Sequence, residues 1–253
     1  MPISRKTVNA VRYVLEDILP PFLRDSRLFV PIMYLAFGRH ARRHMSFRSD
    51  ILWMSDEEYA GFYARLKPLM GETDLNRACA DRILEELEGD RIADIGCGRG
   101  FLAGKIARLL PGGSCHGVDI APPSLADAPD NLTFSAGWAG RLPFEDKAFD
   151  TVICSHTLEH LIDFDGALAD LRRIARRRLI LVVPREREYK YSLNLHVHFF
   201  PYPHTFVNRV RPPTRDFVCE VIDGDIYYRE DIARAPPDGE LLPRRLASEV
   251  QAN

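Results

Sequence analysis

The stretch Asp94-Ile95-Gly96-Cys97-Gly98-Arg99-Gly100 sets one acid beside three glycines at alternate positions. Glycine leaves the backbone bare where a ligand must press against it, and it adopts angles other residues avoid. The acid stands at the carboxyl end of a strand, where open α/β sheets bind their ligands. A second acid, Asp119, ends the following strand in His116-Gly117-Val118-Asp119-Ile120. There it is placed to accept hydrogen bonds from a ribose diol. Histidines supply the remaining chemistry. His156 and His160 follow a fourth strand, and His196, His198 and His204 follow a fifth, among many aromatics. An imidazole near its ordinary pKa suits proton abstraction at neutral pH.

The glycine spacing discriminates between ligands. A dinucleotide fingerprint needs GxGxxG, and here Phe101 occupies the place of its last glycine. A phosphate-cradling loop needs a terminal Gly-Lys-Ser/Thr. That ending is absent, and Lys105 is followed by Ile106.

The elements that must position these groups follow from the apolar pattern. Arg91–Ile95, Ser114–Ile120, Asn131–Ala136, Phe149–Ser155 and Arg178–Val183 read as strands. Phe101–Leu110 and Asp163–Ile174 read as the helices between them. Such alternation implies a parallel sheet with helices on both faces. Phe217–Asp223, Gly224 and Asp225–Arg229 read as a hairpin that supplies an antiparallel edge. Upstream, Ser55 and Glu58 fit a capping box that opens a helix carrying Tyr59, Phe62, Tyr63 and Leu66. A further helix runs from Leu75 to Leu87, with Gly89 as its left-handed cap. The expected organisation is a helical cap over residues 1–74, a ligand-binding domain over 75–235 and a loose tail over 236–253.

Composition narrows the class. The 253 residues carry 34 Lys+Arg and 36 Asp+Glu, a formal charge of −2. That balance gives no support to a nucleic-acid partner, which favours a basic domain. The five cysteines are scattered, with no CxxC, which points away from a disulfide framework or structural zinc and towards the reduced cytoplasm. Leu28–Gly38, the longest apolar run, is too short to span a bilayer and contains Pro31.

Taken in order, the acidic start, the GxGxG core, Asp119, Arg141-Leu142-Pro143-Phe144, Phe149-Asp150-Thr151-Val152 and Ser155-His156-Thr157-Leu158-Glu159-His160-Leu161 resemble the class I S-adenosylmethionine-dependent methyltransferases, of the type 11 kind. The resemblance covers about residues 75 to 185. It implies an α/β, Rossmann-like, doubly wound and mostly parallel seven-stranded sheet with an antiparallel edge strand. It implies S-adenosylmethionine as cofactor. Gly96, Cys97, Gly98 and Gly100 would line its methionine part, with Asp94 beneath. Asp119 and Ile120 would hold its ribose, Trp138 and Ala139 would lie at its adenine, and Ser155 would close the floor near the sulfonium. His156 is the candidate base, against a rival role in cofactor packing. His160, His196 and His198 are candidates for contact with the acceptor.

Two departures stand out. Relatives often carry an acid where this chain has Trp138, so the adenine is held by backbone and aromatic contact, or Trp138 merely packs in the loop. Relatives often carry Pro-Gly-Gly before the fifth strand, where this chain has Arg176-Arg177-Arg178 in what reads as a surface turn. No metal is assigned. His156-Thr157-Leu158-Glu159-His160 spells HxxEH, but it directly follows a buried strand. The same stretch is similar to Cys-x-Glu-x-Leu-Glu-His of ubiquinone-pathway O-methyltransferases, where a divalent metal can bind. Here Cys154, Leu158, Glu159 and His160 match, and His156 replaces the first glutamate.

The implied activity is methyl transfer to a small-molecule or lipid- or glycan-linked acceptor, at oxygen rather than nitrogen or carbon. The alternative is a non-catalytic binding or partner subunit. Residues 28–48, apolar and then basic, are read as a lid helix or as a peripheral membrane contact. Asn76 and Arg77 are expected near the mouth of the site.

Overall fold

The computed structural model describes residues 5–63, 73–124 and 127–232. Leu66 and the expected tail, 236–253, lie outside these. Seven strands form one sheet: β1 (Arg91–Ile95), β2 (Ser114–Asp119), β3 (Leu132–Ala136), β4 (Phe149–Ser155), β5 (Ala175–Pro184), β6 (Phe217–Ile222) and β7 (Asp225–Asp231). Their order is β3-β2-β1-β4-β5-β7-β6. The first five pair in parallel, and β7 runs antiparallel to β5 and to β6 at the edge. The strand order reverses between β1 and β2 on one side and β4 on the other, and ligands bind at the carboxyl ends beside such a switch.

Helices cover both faces. α6 (Arg77–Glu85) and α7 (Phe101–Leu109) bury Cys79, Ile83, Leu102 and Ile106 against Ile92, Ile153, Ile180 and Tyr227. α8 (Phe164–Ile174) and α9 (Pro203–Val210) bury Phe164, Leu171, Phe206 and Val210 against Ala93, Val152, Leu181 and Tyr228. Neighbours such as Tyr227 and Tyr228 face opposite layers because side chains alternate along a strand. β4 from Val152 to Cys154 and β5 from Leu179 to Pro184 are therefore unbroken apolar runs, as strands covered on both faces must be.

The cap consists of α1 (Arg5–Tyr13), α2 (Pro21–Arg24), α3 (Val30–Phe37), α4 (Ala41–Asp50) and α5 (Asp56–Tyr63). The expected capping box opens α5: the Ser55 amide donates to Glu58 Oε2 at 2.9 Å and the Glu58 amide to Ser55 Oγ at 3.2 Å. The cap has no large core of its own. Tyr189 completes a cluster around Phe29 and Met33, and Leu195 completes another around Phe47, Ile51 and Phe62.

Local readings shift in several places. α6 ends at Glu85, so Gly89 is not its cap; it keeps a φ of +78° because the Asp150 side chain presses where a Cβ would stand. β5 begins at Ala175, so Arg176, Arg177 and Arg178 lie within a strand rather than a turn. Arg176 pairs with buried Asp150, and Arg178 Nε donates to Asp231 at 2.7 Å. Asp150 in turn accepts from the Asp90 and Arg91 amides, which secures the start of β1. α9, unforeseen as a helix, starts after Tyr202 with Pro203 in its first turn and buries Phe206 and Val210, four residues apart.

Candidate active site

The glycine turn leaves β1 and crosses towards β2, where the amides of Gly96 and Cys97 both donate to the Val118 carbonyl, at 2.7 and 3.0 Å. Gly96, Gly98 and Gly100 all take positive φ, at +77°, +52° and +75°. A Cβ on Gly96 would lie 1.9 Å from Thr157 Oγ1, so the bare backbone lets the loop after β4 close in. A Cβ on Gly98 would meet nothing within 4 Å, because that position faces open space.

The turn forms one wall of a cavity of about 360 Å³. Asp94, Gly96, Cys97, Gly98, Asp119, Ile120, Trp138, Ala139, Ser155, His156 and His160 all line it. Gly100 does not; it caps the start of α7. Asp94 is 1% exposed, and neither carboxylate oxygen makes a well-formed hydrogen bond among the described residues. Burial pushes its carboxyl up to about 7, only partly opposed by the Ala103 amide. A buried carboxylate without a full set of partners is costly unless a ligand supplies a charge. Asp119 is already oriented, because Gly98 N–H donates to Oδ2 at 2.9 Å and Ala121 N–H to Oδ1 at 3.0 Å. Each oxygen keeps a further lone pair. A cationic group over Asp94, a diol at Asp119 and a backbone opened by Gly98 are what S-adenosylmethionine requires, and the residues present fit it.

The opposite wall comes from the cap. Tyr59 and Tyr63, stacked at 4.7 Å, line the cavity, and Tyr59 lies 5.5 Å from Trp138. An Asp56–Arg141 ion pair at 2.6 Å joins α5 to the loop after β3. Tyr59 and Tyr63 read in the sequence as one face of a helix. Their spacing of four was the available signal, and only the fold shows which surface they meet.

The histidines separate into distinct roles. His156 takes a φ of +50° and its amide donates to the Val182 carbonyl at 2.8 Å. Its Nε2 lies 3.2 Å from Asp225 Oδ2, and its Nδ1 lies 3.5 Å from Glu159 Oε1. Burial works against the charged ring, but Asp225 and Glu159 outweigh it and lift the imidazole to about 10. A ring held in this way has no lone pair for an incoming proton, so its geometry disfavours the role of base. His160 differs. Its Nδ1 meets the Tyr63 hydroxyl at 2.5 Å and the Leu195 carbonyl at 3.4 Å. Its Nε2 makes no hydrogen bond among the described residues and is 4.0 Å from Glu159 Oε1. Burial and the neighbouring His196 lower it to about 4, which leaves the ring neutral at physiological pH.

His196 meets His160 edge-on with ring centroids 4.6 Å apart and holds Glu186 at 2.8 Å; it does not line the cavity. His198 turns away, 2.7 Å from the Leu161 carbonyl and against Phe164. His204 stacks on exposed Tyr202. The aromatic segment after β5 thus serves mainly to hold the cap: Arg48 reaches the carbonyls of Tyr189 and His196 and lies over the Phe199 ring. Among the described residues, Glu159, His160 and His196 bring one donor atom each within 4.8 Å of one another, the one grouping able to share a cation. Asn76 is buried and does not reach the mouth. It caps α6 through Cys79 N–H and donates to Asp225, the partner of His156. Arg77 is exposed and lies 3.6 Å from Asp81.

Comparison with known proteins agrees with this geometry. Residues 93–183 match the family described as "Methyltransferase domain". A demethylmenaquinone methyltransferase of Roseiflexus castenholzii is 34% identical over 91 residues, 34% of this chain and 38% of that protein. A malonyl-[acyl-carrier protein] O-methyltransferase of Geobacter sulfurreducens is 34% identical over 96 residues, 36% of each chain. The chain thus spans well under half the length of these curated relatives. In fold it is similar to a chain from the complex between the Haloferax volcanii Trm112 methyltransferase activator and the putative methyltransferase. That likeness has a TM-score of 0.51 and 17% identity, covering 65% of this chain and 91% of that one.

Proposed function

From the premise that residues 93–183 form a class I S-adenosylmethionine-dependent methyltransferase domain, we propose that this protein transfers a methyl group to oxygen of a small-molecule or carrier- or lipid-linked acceptor. The cofactor supplies a methyl group already activated on a sulfonium. The remaining work for the chain is alignment, exclusion of water and removal of a proton. Asp94 would set its buried carboxylate against the cationic methionine end. Asp119, held by the Gly98 and Ala121 amides, accepts from the ribose diol. Trp138 and Tyr59 give an aromatic wall at the adenine end. His160, a neutral ring on the cavity wall, would take up the proton of the acceptor hydroxyl at Nε2, the nitrogen that Tyr63 and Leu195 leave without a hydrogen bond. Tyr63 and the Leu195 carbonyl hold the ring from behind. His156 serves as a fixed cation that orients Glu159 and joins it to Asp225 on β7. The relatives' names, one for a quinone and one for an acyl-carrier-linked malonyl group, support an acceptor of this kind.

The observation that carries the reading is the orphaned Asp94 carboxylate beneath the open Gly98 backbone, facing a pre-oriented Asp119. The test is calorimetric titration with S-adenosylhomocysteine, with and without EDTA. Micromolar binding that ignores EDTA is expected, with a loss of about ten-fold or more in Asp119→Ala, the scale of a charge-assisted hydrogen bond. No binding overturns the reading. Binding that EDTA abolishes makes Glu159, His160 and His196 metal ligands and removes His160 as the base.

A further inference from the structure

The cap exposes more large apolar side chains than the rest of the described chain. Most of the exposed large apolar side chains among the described residues lie between Val11 and Trp53. Phe22 is 75% exposed, Leu28 78%, Leu35 87% and Trp53 87%. α3, Val-Pro-Ile-Met-Tyr-Leu-Ala-Phe, is apolar on every side. Phe29, just before the helix, and Met33, on it, are buried in one cluster with Tyr189. Leu28, Ile32 and Leu35 follow the spacing of the opposite stripe and face outward. A helix apolar all round is normally covered on all sides.

Charge identifies what covers it. No acid lies between Asp25 and Asp50, whereas Arg27, Arg39, Arg42, Arg43 and Arg48 do. Arg48 is taken up internally by the Tyr189 and His196 carbonyls; the other four are exposed. A second copy docked face to face would set these arginines against their own images, and like charges repel. An anionic lipid surface complements both features at once. Apolar side chains enter the acyl boundary, arginines meet headgroup phosphates, and exposed Tyr34 and Trp53 suit the interfacial layer.

We infer that residues 22–53 form a peripheral docking surface for anionic membranes, with Leu28 just before α3 and Ile32 and Leu35 on it as its apolar contact. The surface stands apart from the cofactor cavity and does not depend on the acceptor being lipid-linked. The test is co-flotation of the full chain with vesicles of phosphatidylcholine alone or with roughly a third phosphatidylglycerol. Binding at least about ten-fold stronger to the anionic vesicles, weakened by salt, is expected. L28S/L35S changes only exposed positions. It is expected to lower that binding about ten-fold while leaving the calorimetric affinity for S-adenosylhomocysteine and the melting temperature unchanged. R39E/R42E is expected to erase the preference for anionic lipid. Wild-type protein that ignores anionic vesicles, or that binds them equally after L28S/L35S, overturns the inference. A concentration-dependent dimer by analytical ultracentrifugation that L28S/L35S dissolves also overturns it, since the face would then join two copies. Because cofactor binding is read separately, failure here and failure of the cofactor site are distinguishable.

Discussion

Asp94→Asn should make the protein more stable and useless at once. The carboxyl is 1% exposed, and burial lifts it from 3.8 to about 7. Between those values the folded state holds a proton that the unfolded state releases. Wild-type apo stability therefore falls as pH rises through that window. A shift of about three units at 1.36 kcal/mol each amounts to roughly 4 kcal/mol above pH 7. Asparagine is nearly isosteric, keeps an acceptor towards the Ala103 amide and carries no charge. The variant should thus match wild type near pH 4 and gain steadily up to pH 8. At 2–4 °C per kcal/mol for a chain of this size, the gain at pH 8 is on the order of 10 °C in melting temperature. Differential scanning calorimetry of the apo proteins from pH 4 to 8 reads the stability. Calorimetric titration with S-adenosylhomocysteine reads the loss of function, expected to be about ten-fold or more. A variant that melts lower than wild type at pH 8, or a gap that does not vary with pH, refutes the reasoning. It would mean that Asp94 is already satisfied in the apo protein.

Three further outcomes follow from the same geometry. Gly98→Ala faces open space at a φ of +52° and should fold with a penalty of about 1–2 kcal/mol, yet lose S-adenosylhomocysteine binding because its methyl group enters the cradle. Gly96→Ala places a Cβ 1.9 Å from Thr157 Oγ1 and should fail to fold, as seen by circular dichroism; normal binding by Gly98→Ala would remove the cradle. Asn76→Ala removes a helix cap and a donor to buried Asp225, and should cost roughly 2–4 kcal/mol in urea unfolding. A cost below about 1 kcal/mol would show that Asp225 does not depend on Asn76.

Much of the sheet was legible because its signals are local. β1, β4 and the hairpin turn at Gly224 lie where apolar runs and an Asp-Gly pair place them. β5 extended upstream through three arginines because Asp150, Asp231 and Glu88 neutralise them, and these acids come from other strands and from the turn before β1. α9 carried a readable signal, proline in its first turn and apolar residues four apart, but the aromatic run before it suggested a pocket wall.

The sequence by itself determined the glycine turn and the two acids that line one wall of the cavity. Gly96, Gly98, Asp94 and Asp119 sit within single strand–turn–helix units, where backbone angle and strand direction set the side-chain position. Only the tertiary structure decided the surroundings of the histidines. His156 and His160 are four residues apart, and the sequence offers no means of telling which one is free. Asp225, brought over by β7, and Glu159 engage both nitrogens of one ring, while Tyr63 and Leu195, from the cap and the segment after β5, engage only Nδ1 of the other, whose Nε2 lies 4.0 Å from Glu159. The protonation state of a buried imidazole depends on the charges within a few ångströms, and here those charges come from residues scattered along the chain.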